Sequence, residues 1–235
     1  VSPEFAAASG VNKRCLLKHG ERTLLETVVE ALRGSSVVAP IFVVGDVSVP
    51  DGVEGIAEGD GFVANLFRGL DRCRDWAQVI VATSDMPFIT PETVSRFAGE
   101  ALAMNADFVY PIVPVDVCKR AYPTMHRTSL PLREGRFTGG NMVLLRPKAF
   151  LDQRQYIDSA YALRKKPLRL AMMLGPAITA AVAASVLTNS GLVRLATLEE
   201  AGSRLLHAQA RALIMDDPAI ATDIDRPEDI GAAGA

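Results

Sequence analysis

The sequence predicts an α/β fold, a three-layer α/β/α sandwich around a mostly parallel sheet. Three observations predict it. Short apolar, β-branched runs such as Val37 to Gly45 and Gln78 to Thr83 have no polar alternation, as expected of strands buried on both faces. Between them lie stretches with apolar residues at helical spacing. The two kinds alternate from end to end, the pattern of strand–helix–strand units. The 235 residues, 49% apolar and 22% charged, suffice for a buried core and exclude wholesale disorder. They read as one domain over residues 1–235, with a helical insertion at about 115–210.

The elements follow in order. Residues 1–23 hold Pro3, Gly10 and Gly20 without clean periodicity and read as a loop with one short turn at most. From Thr23, the residues Leu24, Leu25, Val28, Val29 and Leu32 mark a helix that stops at Gly34. Strands are expected at Val37 to Gly45 and Val53 to Ala57, then a helix over Gly61 to Cys73. The strand Gln78 to Thr83 ends at Ser84-Asp85-Met86-Pro87. Thr90 then caps a helix with Pro91 at its first position. Strands follow at Asp107 to Val113 and Asn141 to Arg146, with a helix from about Lys148. Residues 156–208 are helix-rich, the last strand is expected at Ala219 to Ile224, and a helix starts at Pro227.

From Leu170 to Val193 no residue is charged, a length near that of a membrane span. Gly175-Pro176 interrupts it and Thr188-Asn189-Ser190-Gly191 closes it, so it reads as two core or interface helices. A surface touching lipid or another subunit, as in a homo-oligomer, is the alternative.

Charge and cysteines exclude several classes. A net charge of −2 gives no electrostatic footprint for nucleic acid. Cys15, Cys73 and Cys118 form no CxxC pair, which argues against a disulfide framework or a structural zinc site and fits a cytoplasmic protein. His19, His126 and His207 have no metal-ligand spacing, and no GxSxG elbow or full GxxxxGK[ST] loop occurs.

In an open α/β sheet, ligands bind at the carboxyl ends of strands. Asp46, Asp85, Asp223 and Asp225 fall there. A carboxylate at such a place holds a hard cation such as Mg²⁺, and a second from another strand end completes the site. Helix capping is the alternative for either Asp85 or Asp225 alone. Lys13, after Gly10 and Asn12, is placed to neutralise phosphate, a solvated lysine being the plainer reading. In Arg136-Phe137-Thr138-Gly139-Gly140-Asn141, paired glycines let backbone approach a ligand, or make a hairpin or bulge.

These motifs resemble a known family. VNKRCLLKHGERTLLETVVEAL is similar to the opening of MobA-like nucleotidyltransferases after their phosphate loop. NLFRGL looks like the segment that helps hold the nucleotide, VATSDMPFITPETV like the family's D-M-P signature, RFTGGNMVLLRP like the strand facing the acceptor, and DIDRPEDI like the closing acidic motif. The matches run in family order over nearly the whole chain. The resemblance implies a Rossmann-like nucleotide-diphospho-sugar transferase (glycosyltransferase A-type) fold. It implies transfer of a nucleoside monophosphate from an NTP (CTP, GTP or UTP) to a phosphorylated acceptor, releasing pyrophosphate.

On that resemblance, Asp85 and Asp225 take Mg²⁺ and Lys13 is catalytic with them. Gly10, Asn12, Lys13, Asn65, Gly69 and Ser84 serve the nucleotide. Arg127, Thr138, Gly140, Asn141, Lys165 and Lys166 serve the acceptor. Two departures stand beside it. The family's first strand and glycine-rich loop do not occur, and are expected upstream of Val1. The block 115–208 departs from molybdenum cofactor guanylyltransferase, which points to another branch with another acceptor. The missing loop also motivates a non-catalytic nucleotide or nucleotide-sugar binder as an alternative. Asp223-x-Asp225 motivates a glycosyltransferase of the same fold type.

Overall fold

The structure, a computed structural model, describes residues 1–163 and 172–232. The chain opens with helix α1 (Pro3–Ser9), where the sequence reading expected a loop. Ser2 caps it by accepting the Phe5 N–H at 3.2 Å, Pro3 sits in the first turn, and Gly10 closes it in the left-handed conformation. Ser-Pro-Glu is a helix-start signal, but seven residues are too few to show periodicity. A 3₁₀ turn (Arg14–Leu16) and a small hairpin of β1 (Lys18–His19) and β2 (Arg22–Thr23) lead to α2 (Leu24–Gly34). Thr23 and Glu26 form a reciprocal capping box at its start.

Next come β3 (Phe42–Val44), β4 (Glu54–Ile56), α3 (Phe62–Arg72), β5 (Val79–Ala82) and α4 (Pro91–Ala103). β3 is shorter than the expected Val37 to Gly45 strand. Pro40 has no N–H to give a ladder, and pairing to β4 starts only at Phe42. Then follow β6 (Phe108–Pro114), α5 (Val115–Ala121), β7 (Leu130–Leu132), β8 (Gly135–Gly139), β9 (Met142–Leu145), α6 (Pro147–Leu151) and α7 (Arg154–Leu163). Beyond the undescribed residues 164–171 lie α8 (Pro176–Thr188), α9 (Leu195–Leu206), β10 (Ala210–Ile214) and α10 (Pro227–Ala232).

The expected strand over Ala219 to Ile224 does not form. Asp217 accepts the Ala219 N–H at 3.0 Å and starts a 3₁₀ turn (Pro218–Ala221) instead. The last strand is β10, whose apolar run is short and broken by Arg211. The stretch 115–210 holds helices α5 to α9, but also β7, β8 and β9, so it supplies three strands of the main sheet as well, β9 lying between β5 and β6.

The main sheet has six strands in the order β5-β9-β6-β8-β7, with β10 on the other edge of β6. β10 runs parallel to β6, whereas β9 is antiparallel to both β5 and β6, and β8 to both β6 and β7. Strands β5, β6, β7 and β10 therefore share a direction, with β9 and β8 reversed among them. The sheet is mixed in its pairings rather than mostly parallel.

Its two faces show the three layers. Ile80, Ala82, Val109, Met142 and Leu144 pack with α2 and α4 residues such as Val28, Val94 and Phe97. Their sequence neighbours Val79, Val81, Phe108, Val143 and Leu145 pack with Leu66 and Leu70 of α3 and Phe150 of α6. This strict alternation between two apolar environments explains why the strands read as continuous apolar runs. In α8, Ile178, Val182 and Ser185 are buried, the first two against Phe137 and Val193, while Val186 and Leu187 are exposed. Among the described residues no helix is long and apolar enough to cross a membrane.

β3 and β4 form a separate parallel pair. Between β3 and β5 lies a cleft of about 1010 Å³, and both strands line it. Gln78 to Asp85 and Phe42 to Val44 contribute its walls, which is why these strands are only half-buried.

Phe5 of α1 is 1% exposed and packs on Leu17, Leu24 and Ile224, directly beneath the segment that carries Asp225. Phe5→Ala is expected to cost about 3 kcal/mol in urea unfolding at unchanged slope. A loss well under 1 kcal/mol would show that α1 is not docked.

Candidate active site

The polar end of the cleft is built where four segments meet. β5 delivers Thr83, Ser84 and Asp85. The turn before β9 delivers Gly140 and Asn141. The 3₁₀ turn at Arg14 enters from the N-terminal side, and residues 222–225 from the other. Backbone hydrogen bonds stitch them: Thr83 N–H to Asn141 O at 2.9 Å, Asn141 N–H to Ile220 O at 2.8 Å, and Ile224 N–H to Asp85 O at 3.1 Å. The Gly140 N–H donates to Pro111 O at 2.8 Å, and a Cβ on Gly140 would lie 2.8 Å from Pro111 Cγ and 3.2 Å from Ile220 O. Glycine is needed there for close backbone approach.

Asp85 and Asp225 come together as expected, but with a partner the sequence reading missed. Arg14 Nη1 lies 2.7 Å from Asp225 Oδ1 and 3.5 Å from Asp85 Oδ2. Asp223 joins them, its Oδ1 accepting from Asn141 Nδ2 at 3.3 Å. Burial pushes the Asp85 carboxyl up, Thr83 and Arg14 pull it back, and Asp225 raises it again. Burial, with the charges of Asp85 and Asp225, pushes Asp223 up to about 6. The Thr83 hydroxyl lies close enough to the Asp85 carboxyl to favour its charge but outside hydrogen-bond geometry, and among the described residues buried Asp85 Oδ1, Thr83 Oγ1 and Arg14 Nε have no partner in that geometry.

Positioning comes from residues that carry no obvious motif. Asp229 Oδ2 accepts the N–H groups of Asp225 at 3.2 Å and Arg226 at 2.9 Å, fixing the turn into α10. Arg127 donates to Ala221 O and, at 2.7 Å, to Thr222 Oγ1, just ahead of Asp223. Its guanidinium is thus engaged with the segment 221–222. Thr138 is buried and its hydroxyl donates to Thr128 O at 2.9 Å.

The other expected residues lie as follows. Asn65, Gly69 and Ser84 line the same cleft as Asp85 and Asn141. Asn65 Oδ1 accepts the Gly59 N–H at 2.6 Å, and a Cβ on Gly69 would lie 3.4 Å from Val44 Cγ2. Gly10 ends α1, and Asn12 is exposed. Lys13 ion-pairs with Glu58 and donates to Asp46 O at 3.0 Å, so it faces the ends of β3 and β4 rather than Asp85. Lys165 and Lys166 lie outside the described residues. Cys15 is held as a thiol by burial, which agrees with a bystander role.

The donor set suits one kind of cation. Among the described residues no group of three or more His, Cys, Asp or Glu converges to enclose a metal. Two carboxylates with one buried, unpartnered oxygen fit a hard ion that keeps water and phosphate ligands, as Mg²⁺ does.

The profile of the MobA-like NTP transferase domain matches residues 9–169. No curated protein sequence matches the chain. Among solved structures, a hypothetical transferase from Thermus thermophilus is 34% identical with a TM-score of 0.82, covering 96% of this chain and 94% of that one. A 2-C-methyl-D-erythritol 4-phosphate cytidylyltransferase from Thermus thermophilus is 17% identical with a TM-score of 0.55, covering 94% and 91%. A CMP:2-keto-3-deoxy-manno-octonic acid synthetase complexed with CTP is 12% identical with a TM-score of 0.53, covering 94% and 90%. The last two show the shared nucleotide-diphospho-sugar transferase fold. The chain belongs to the MobA-like NTP transferase domain family and is a nucleotidyltransferase.

The Asp223 shift sets a pH dependence. Its folded value of about 6 lies above the ordinary 3.8, so the folded protein binds the extra proton. Its ionised form therefore opposes folding, fully above pH 6 and not at all well below pH 4. In EDTA, Asp223→Asn is expected to raise stability at pH 8 by about 1–3 kcal/mol, the gain vanishing by about pH 4. Urea unfolding across that range checks it, and equal stabilities at pH 8 would mean the carboxylate is fully compensated.

Proposed function

We propose that this member of the MobA-like NTP transferase family transfers a nucleoside monophosphate from CTP, GTP or UTP to a phosphorylated small molecule, in a Mg²⁺-dependent reaction that releases pyrophosphate. The observation that carries this reading is the meeting of Asp85 and Asp225 at the polar end of the cleft, with Asp85 Oδ1 buried and unspent. An acceptor phosphate oxygen forms a bond to the α-phosphorus. The bond from that phosphorus to the α–β bridging oxygen breaks, and pyrophosphate leaves with the electron pair. Such chemistry needs charge neutralisation and in-line positioning more than proton transfer.

The residues divide that work. Asp85 and Asp225 would hold Mg²⁺, which supplies neutralisation of charge on the phosphate oxygens. Asn65, Gly69 and Ser84 line the cleft and serve the nucleotide. Asn141 faces the acidic cluster from the β9 side, and with Gly140 and Thr138 shapes the acceptor side. Lys13 neutralises phosphate charge once it leaves Glu58; Gly10 and Asn12 flank it. Arg127 serves the acceptor through the segment 221–222 that it braces, and Lys165 and Lys166 contribute cations. The protein acts in the cytoplasm, and exposed Val186 and Leu187 support a subunit or lipid contact through 170–193.

The cleft also supports the reading of one domain with a further strand. Its polar end carries Asp85, Asn141 and Arg14, but its depth is apolar, with Val43, Val44, Ile80 and Val81 facing the gap. Among the described residues β3 pairs with β4 alone and β5 with β9 alone, so each presents an unpaired edge to it. A further strand fits this gap, and would bring backbone N–H groups to the phosphate end. Slow amide exchange along the cleft-side edges of β3 and β5 in the full polypeptide is the expected result. Rapid exchange along both edges rejects the inserted strand.

The activity test combines Mg²⁺, each of CTP, GTP and UTP, and a panel of phosphorylated acceptors with the full polypeptide, following pyrophosphate. Release is expected with one donor–acceptor class, and Asp85→Asn should lower turnover by at least about 100-fold and weaken Mg²⁺-dependent nucleotide binding. Unchanged binding in that variant removes the metal assignment, and silence with every pair removes the activity.

A further inference from the structure

Arg14 stands between the two carboxylates that the proposed function assigns to a divalent cation. Its Nη1 is 2.7 Å from Asp225 Oδ1 and 3.5 Å from Asp85 Oδ2. A cation and a guanidinium cannot share that place without strong like-charge repulsion. Yet the arrangement is incomplete on both sides. Arg14 Nε is a buried donor without a partner, and Asp85 Oδ1 is a buried acceptor without one. Buried polar groups left unpaired cost free energy and call for an explanation. One exchange satisfies both. A cation takes Asp85 Oδ1, and a phosphate takes the freed guanidinium, whose planar fork matches phosphate oxygens.

We propose that Arg14 is a resident counter-ion that occupies the divalent-cation place until nucleotide arrives, and then moves onto its phosphates, so that cation and nucleotide bind with positive coupling. The inference rests on the reading of Asp85 and Asp225 as cation ligands. Without nucleotide, a cation must expel Arg14 from its carboxylates with no new anion to receive it. With nucleotide bound, the polyphosphate is that anion, and the place between Asp85 and Asp225 is vacated. By linkage, each ligand then raises the affinity of the other. The site has room for such a move. Arg14 lines the open cleft, and its guanidinium carbon lies 5.9 Å from the Phe5 ring centroid. An arginine that only neutralises the carboxylates would also hinder the cation, but would make no contact with nucleotide.

Two binding measurements on the full polypeptide test this without turnover. Mn²⁺ is titrated into nucleotide-free protein with free Mn²⁺ followed by electron paramagnetic resonance, and CTP, GTP and UTP binding is measured by equilibrium dialysis in EDTA. Arg14→Gln is expected to bind Mn²⁺ about tenfold more tightly than the parent and to bind nucleotide in EDTA several-fold more weakly. Arg14→Lys, which keeps the charge but not the fork, is expected to leave Mn²⁺ affinity near the parent's and to weaken nucleotide binding. It carries the test if Arg14→Gln fails to fold. Unchanged or weaker Mn²⁺ binding in Arg14→Gln overturns the proposal, and so does nucleotide binding in EDTA that neither variant alters. Asp85→Asn separates the two levels. If it abolishes Mn²⁺ binding while Arg14→Gln leaves it unchanged, only the role of Arg14 falls; if neither variant alters Mn²⁺ binding, the cation site itself falls.

Discussion

Three carboxylates, Asp85, Asp223 and Asp225, are crowded at the end of β5, and the surrounding structure is arranged to hold them there. The crowding is unfavourable by itself: burial and mutual repulsion raise Asp223 to about 6 and push Asp85 upward. What keeps the groups together is backbone. The Ile224 N–H on Asp85 O ties the segment 222–225 to the end of β5 independently of any side-chain charge. Asp229 then fixes the peptide groups of Asp225 and Arg226, and Arg127 fixes 221–222. Phe5 and Ile224 pack beneath, so α1 supports the floor of the site. A polar site under electrostatic strain is thus carried by neutral hydrogen bonds and apolar contacts, whose strength does not fade with salt or pH as an ion pair's does.

Much of this was legible in the sequence. The strand β5, the cap and proline that start α4, the apolar spacing of α2 and the glycines before β9 are local signals, each contained within a few residues. Asp85 was legible because strand ends are where such sheets bind ligands, whereas the strand expected before Asp225 does not form, so only its flanking motif, in family order, pointed to it. Arg14 was not legible. Nothing in its neighbours says that it meets residues 71 and 211 positions further on; only the three-dimensional stitching of β5 to 222–225 brings them together. The same holds for Arg127, whose partners lie 94 and 95 residues away. The residues 219–224 have strand-like composition, yet Asp217 and Pro218 turn them, and a local cap overrode the apolar run.

The mixed sheet shows another limit of local signals. Continuous apolar runs report that both faces are covered, which is true of β5, β6 and β9, but not which way a neighbour runs. β9 follows β8 closely, and both run against β6, so the directions of β5 and β6 agree while neither touches the other. Burial was the legible quantity; pairing was not.

Lys13 and Arg14 both sit at the polar end of the cleft. They are consecutive in sequence but engage opposite banks of the cleft. Lys13 pairs with Glu58 and the carbonyl of Asp46, beyond β4 and β3, while Arg14 pairs with Asp85 and Asp225, beyond β5. Among the described residues β3–β4 and the main sheet share no strand pairing, and these two residues contact both sides of the cleft at its polar end. On the proposed function, a polyphosphate entering there would meet both cations at once. It would compete with Glu58 for one and with Asp85 and Asp225 for the other, each exchange replacing carboxylate contacts by contacts to a more highly charged anion.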